Sequence, residues 1–200
     1  MNPTSLLLSI FSVFLMVSMT APVLADDPME EIKQTTDKIL STLTDPVLKT
    51  PSKTAEREKL IRQAVDERFD WEEMARRSLA THWAKRTGEE RKEFVRVFGD
   101  LVERMYMRKV EGYSGEKVLY EGETKDGNYA TVKVKIVTQK NKDIPVEYRL
   151  KKKGNNWFVY DISIEGVSLV NNYRTQFNSI LLRSSYDDLV RRLREKGELK

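Results

Sequence analysis

Tyr129-Ala130-Thr131-Val132-Lys133-Val134-Lys135-Ile136-Val137 alternates without interruption. Ala130, Val132, Val134 and Ile136 fall on one side, and Thr131, Lys133 and Lys135 on the other. A strict period of two marks a strand with one dry and one wet face. Residues 144–152 repeat the pattern with Ile144, Val146, Tyr148 and Leu150 inward. Gly154-Asn155-Asn156 is turn chemistry, and residues 157–164 form the return strand. Upstream, Lys117-Val118-Leu119-Tyr120 is predicted as a short strand. Consecutive strands with short turns make an antiparallel meander, which tolerates water on one face. The lysines show which face is wet.

On both sides of this meander the period becomes helical. Residues 28–43 place Ile32, Ile39, Leu40 and Leu43 on one stripe, and residues 54–69 do the same with Leu60, Ile61, Ala64, Val65 and Phe69. Asp70-Trp71-Glu72-Glu73 and Thr87-Gly88-Glu89-Glu90 are helix-start signals. The second opens the strongest helix, running towards Val110 with Phe94, Val97, Phe98, Leu101, Val102, Met105 and Tyr106 at helical spacing. After the strands, residues 167–182 carry Val170, Tyr173, Phe177, Ile180 and Leu181, and a charged helix covers residues 185–196. Helices, then strands, then helices predict an α+β domain: a curved antiparallel sheet with helices on its single apolar face.

The chain opens with an uncharged, apolar run at residues 6–19, followed by Ala21-Pro22-Val23-Leu24-Ala25 and the acidic pair Asp26-Asp27. An apolar core of about 7–15 residues before a small-residue site reads as a secretory signal peptide cleaved near Ala25. A membrane anchor and a buried helix are the competing readings. A span needs about 20 apolar residues, and Pro22 and the acidic pair arrive too early for one. Residues 1–25 are therefore expected to be a leader and residues 26–200 one exported domain.

There is no cysteine in the 200 residues, which excludes disulfides, thiolate metal sites and cysteine nucleophiles. The formal charge of +4 comes from 35 basic and 31 acidic residues, interleaved along most of the chain. That excess is compatible with anionic membrane surfaces but far from a nucleic-acid footprint.

No Gly-rich phosphate loop, nucleophile elbow, paired-histidine metal site or acidic calcium loop is present. His82 is the single histidine. It reads either as a general base or, more simply, as a packing or capping residue. Asp161, flanked by Val159, Tyr160 and Ile162, admits two readings: a carboxylate abstracting a proton in an apolar cone, or a structural hydrogen-bonding group. Parity puts Asp161 with Trp157, Val159 and Ser163, and Tyr160 with Phe158, Ile162 and Ile164. The two share a face only if a bulge intervenes.

One stretch is more distinctive than any pattern: Trp157-Phe158-Val159-Tyr160-Asp161-Ile162-Ser163-Ile164-Glu165-Gly166-Val167-Ser168-Leu169. It leads into Asn172-Tyr173-Arg174-Thr175-Gln176-Phe177, Ile180-Leu181 and Tyr186-Asp187-Asp188-Leu189. With Phe69-Asp70, Met74-Ala75, Leu79, Trp83 and the segment from Thr87 to Phe94, it resembles the MlaC family across essentially the whole mature chain. These are the toluene-tolerance auxiliary proteins, periplasmic phospholipid carriers of Gram-negative bacteria.

The resemblance implies a binding protein, not an enzyme, with a fold like the nuclear-transport-factor and cystatin-like cone and an internal apolar lipid pocket. It implies phospholipid as cargo, no cofactor or metal, and a monomer free in the periplasm. It also implies two partners: an inner-membrane ABC transporter with an MCE-domain subunit, and an outer-membrane lipoprotein–porin complex. Such a system maintains outer-membrane lipid asymmetry. Candidate pocket walls are Val132, Val134, Ile136, Val146, Tyr148 and Leu150 on two strands, with Tyr160 and Ile162 on the last. Phe98, Val102, Met105 and Tyr106 face them from the long helix, and Val170, Tyr173 and Phe177 close a side. Periodicity assigns these residues equally well to a filled core. A hopanoid-like cargo, or an enzyme using Asp161 or His82, are the other readings.

Overall fold

The computed structural model of the chain describes residues 27–195. The expected leader, its cleavage site and the last five residues lie outside them. Four helices come first: α1 (Pro28–Thr44), α2 (Thr54–Asp66), α3 (Trp71–Leu79) and α4 (Gly88–Glu111). The strands β1 (Lys117–Asp126), β2 (Tyr129–Val137), β3 (Asp143–Lys153), β4 (Asn156–Ile164) and β5 (Val167–Ser168) follow, and then α5 (Leu169–Leu181) and α6 (Tyr186–Glu195). The strands form one antiparallel sheet in the order β1-β2-β3-β4-β5.

Side-chain caps start α1, α3 and α4. The Asp27 carboxylate accepts from the Met29 and Glu30 amides, with Pro28 as the first helical residue. Asp70 accepts from the Glu73 amide at 3.2 Å and begins α3. At α4, Thr87 and Glu90 form a reciprocal capping box.

The sheet departs from the expected one in two places. β1 runs six residues beyond Tyr120, because a bulge between Tyr120 and Gly122 shifts its register against β2. Gly122, at φ 143°, supplies the backbone freedom, and the polar run after it belongs to an edge strand. At the other end Glu165 and Gly166 both take positive φ, 50° and 81°, in a two-residue turn. That turn pairs Val167 with Ile164 and Ser168 with Ser163, so α5 begins only after Ser168, whose hydroxyl accepts from the Asn171 amide.

β4 carries a third irregularity. Arg149 pairs with Asp161, but Leu150 pairs with Val159, leaving Tyr160 as an extra residue. Trp157 and Val159 therefore share the inner face with Ile162 and Ile164, while Tyr160 and Asp161 both turn outward. The free edge of β4 is covered near Val159 by the segment entering α3. There Val159 donates to the Arg68 carbonyl at 2.9 Å, and Asp70 donates back to the Val159 carbonyl at 2.8 Å.

Two cores result. One is helical, joining α3, α4, α5 and α6 through Met74, Phe94, Phe98, Tyr173, Phe177 and Leu189. Its rings interlock edge to face, with Phe98 5.3 Å from Tyr173 and 5.9 Å from Phe177. The other lies on the inner sheet face, where Ile32 of α1 packs over Val132, Val134, Val146, Leu150, Trp157 and Val159. Arg68 pairs with Glu31 and donates to the Trp157 carbonyl at 2.8 Å and the Thr35 hydroxyl at 3.2 Å. These contacts bind α1 to the sheet.

Candidate functional site

Where the two cores meet they leave a cavity of about 250 Å³. Each wall follows from a side-chain period. Ile32, Thr36 and Ile39 form one stripe of α1, and Ile61 and Val65 one of α2. On α4, Gly99, Val102, Tyr106 and Val110 recur every three or four residues, with Glu103 and Met107 beside them. The sheet contributes Ile136, Val146, Tyr148, Ile162 and Ile164. Phe69, Trp71 and Leu169 fill the corners.

The lining is almost wholly apolar. Burial pushes the Tyr148 phenol up to about 12 and also raises that of Tyr106. At one margin Arg62, Asp66 and Glu103 come together. Arg62 of α2 donates to Asp100 of α4 at 2.9 Å, pairs with Glu103, and lies 3.6 Å from Asp66. Asp66 in turn accepts from the Trp71 indole at 2.8 Å, and that ring stacks on Phe69 at 5.3 Å. Across the cavity Arg68 is committed to Glu31, and its guanidinium is pushed below its ordinary pKa by burial.

Of the residues expected to line a pocket, Val102, Tyr106, Ile136, Val146, Tyr148 and Ile162 lie on the cavity wall. Phe98, Met105, Val170, Tyr173 and Phe177 sit in or against the helical core instead. α4 has two apolar flanks, and the one bearing Phe94, Phe98, Leu101 and Met105 faces α5 and α6. Val132, Val134 and Leu150 are packed in the sheet core beneath α1. Tyr160 is carried to the outer face by the bulge, where Arg77 stands 4.1 Å over its ring.

The walls that sequence reasoning did not assign come mainly from α1 and α2. Their stripes were visible at Ile32 and Ile39 and at Ile61 and Val65, but nothing in the sequence names the surface they face.

The two candidate catalytic groups lie elsewhere. Asp161 is 3% exposed, on the side of β4 opposite the cavity. Its carboxylate accepts from Ser168 Oγ at 2.7 Å, the Val170 amide at 3.0 Å and Arg149 at 3.2 Å. With three donors engaged, it ties β4 to the start of α5. The ring of His82 meets Asn178 Oδ1 of α5 at 3.0 Å, fixing the turn after α3. Among the described residues no cluster of three or more His, Cys, Asp or Glu side chains is disposed to hold a metal ion. Nor is any helix among them long and apolar enough to cross a membrane.

Such a cavity binds by exclusion of water: each methylene transferred into it gains about 0.8 kcal/mol. Its volume lies just below the range of about 300–1,000 Å³ usual for pockets of drug-sized ligands. A ligand with two long chains therefore requires the walls to part.

Comparison with known proteins agrees with this architecture. The family model described as MlaC protein matches residues 33–195. The intermembrane phospholipid transport system binding protein MlaC of Haemophilus influenzae is 27% identical over 125 residues, 60% of this chain. That alignment spans 58% of the relative's length. A solved structure of a phospholipid-binding protein from Ralstonia solanacearum, in complex with a phospholipid, superposes with a TM-score of 0.76 at 25% identity. It covers 86% of this chain and 97% of that one.

Proposed function

The chain belongs to the MlaC family, and on that premise we propose that it is a phospholipid carrier. The observation that carries the proposal is the apolar cavity at the junction of the two cores. It supports a cargo held by its acyl chains, with Val102, Tyr106, Ile136, Val146, Tyr148 and Ile162 among the residues in contact. The head group stays towards solvent, beside the charged margin of Arg62, Asp66 and Glu103. The Ralstonia protein, of the same fold and solved in complex with a phospholipid, supports phospholipid as the cargo.

In this reading residues 1–25 are a leader removed after Ala25, and residues 26–200 act as one soluble periplasmic domain. The carrier receives and delivers lipid between an outer-membrane lipoprotein–porin complex and an inner-membrane ABC transporter with an MCE-domain subunit, and so maintains outer-membrane asymmetry. It needs no cofactor and performs no reaction. The carboxylate of Asp161, spent on three donors away from the cavity, is consistent with that.

Native mass spectrometry of protein purified from a bacterial periplasm tests the reading. The expected spectrum carries the mass of one phospholipid on a chain that begins at Asp26. The mass of a hopanoid or another apolar lipid would replace the cargo. Protein that is empty, and stays empty when offered labelled liposomes, would overturn the carrier.

A further inference from the structure

Outside the cavity, α3 and β3 build a second charged feature with an unusual distribution of exposure. Three carboxylates, Asp70, Glu73 and Asp161, have side chains only 4%, 8% and 5% exposed. Their cationic partners Arg76, Arg77, Arg149, Lys151 and Lys153 are 30–48% exposed. Glu73 holds Arg76 at 2.7 Å, Arg77 at 2.8 Å and Lys151 at 3.7 Å; Asp70 holds Lys153 at 2.6 Å, and Asp161 holds Arg149 at 3.2 Å. The acids form a buried layer and the bases a shell above it. An ordinary surface ion pair exposes both partners and cancels its own field. Here solvent meets five cations, while the three anions that order them are shielded.

The shell is also fitted with aromatic rings. Tyr160 lies under Arg77, and Tyr129, 42% exposed, meets Tyr160 edge-on with centroids 5.9 Å apart. Tyr129 pairs across the sheet with Lys151, so rings and cations occupy one continuous face. Guanidinium forks with N–H groups to spare suit phosphate oxygens, and tyrosine suits the boundary between head groups and acyl chains. Phosphate-rich bilayers present both features together.

We propose that this α3–β3 face docks on anionic phospholipid membranes, the five cations meeting lipid phosphates while Tyr129 and Tyr160 enter the head-group layer. Phe69 and Trp71, on either side of Asp70 in sequence, line the cavity. The contact depends on surface charge and is independent of whether the chamber holds a lipid.

The test is flotation of the purified protein with phosphatidylcholine vesicles, with or without phosphatidylglycerol. Binding is expected only to the anionic vesicles, and is lost near 1 M salt, where the screening length falls to about 3 Å. Arg76→Gln and Arg149→Gln each leave their carboxylate at least two other donors or cations. Each is expected to lower partition roughly fivefold, from about 1 kcal/mol per cation near an anionic leaflet. Lys33→Gln and Lys92→Gln, on remote helices, are expected to change it little.

Acetylation of Lys151 and Lys153 in the unaltered protein is expected to fall when anionic vesicles are present, which reads the contact without a variant. Equal binding to both vesicle types would overturn the proposal. So would equal loss in the remote variants, or protection of Lys151 by polyglutamate but not by vesicles, which would assign the face to an acidic protein. Lipid loading measured on the same samples separates this outcome from failure of the carrier reading.

Discussion

Arg62 on α2 donates to Asp100 on α4 at 2.9 Å, so the two helices that flank the cavity are joined at its margin by charge. Glu103 and Asp66 hold the same guanidinium. All four side chains are partly exposed, where ion pairs are worth about 0–1 kcal/mol and weaken with salt. Parting the walls at this seam costs little in ion pairing. Arg62→Ala is therefore expected to load lipid faster while losing less than about 1 kcal/mol of stability. The rate of transfer of a fluorescent phospholipid from vesicles reads this directly. A matching acceleration in the unaltered protein at high salt, absent from the variant, assigns the effect to the ion pairs.

Size changes separate the cavity from the core. Ile162→Trp projects into empty volume and is expected to cut lipid occupancy severalfold with little change in melting temperature. Phe98, wholly buried among Phe94, Tyr173 and Phe177, has no such volume beside it. Phe98→Ala is expected to cost about 3–5 kcal/mol, measured by urea unfolding, with occupancy per folded molecule nearly unchanged. The reverse pattern would place the cargo in the helical core.

Asp161 makes an opposite prediction to that of a catalytic acid. Asp161→Ala leaves the Val170 amide, Ser168 and Arg149 without their shared acceptor and is expected to destabilise by about 1–3 kcal/mol. Asp161→Asn keeps an oxygen for the Val170 amide and is expected to cost less. Lipid occupancy of folded protein is unchanged in both, checked by mass spectrometry beside the unfolding curves.

Acid sensitivity has a specific source in Glu73. Burial pushes its carboxyl up, but hydrogen bonds from Arg76 and Arg77 outweigh burial and hold it at about 2, against an ordinary 4.5. Between those values the unfolded chain binds a proton that the folded chain does not, so stability rises with pH across the window. The contribution is complete above about pH 4.5 and disappears as the pH falls towards about 2. Glu73→Gln is expected to be less stable at neutral pH and to show a flatter melting-temperature profile in that window.

The sequence made the helices and the middle strands legible because their faces differ so sharply. Lys133 and Lys135 against Val132 and Val134 allow one orientation only, and Thr87 with Glu90 marks the start of α4 to the residue. What was not legible depended on partners distant in the chain. α4 presents two apolar flanks, and periodicity cannot say that Phe98 joins a solid core while Val102 and Tyr106 meet a void. The extension of β1 beyond Tyr120 was hidden because Glu121, Glu123, Lys125 and Asp126 look like loop, although an edge strand accepts them. α1 and α2 announced their stripes but not the chamber those stripes enclose.

The extra residue in β4 has a consequence for how this strand tolerates change in length. Tyr160 and Asp161 stand side by side on the outer face, so deleting Tyr160 restores plain alternation and leaves Trp157, Val159, Ile162 and Ile164 pointing inward. Deleting Phe158 or Ser163 instead carries one end of the strand onto the wrong face, because its period is two. β4 thus has a single point at which its count of residues is negotiable, and it divides the part that packs under α1 from the part that lines the chamber.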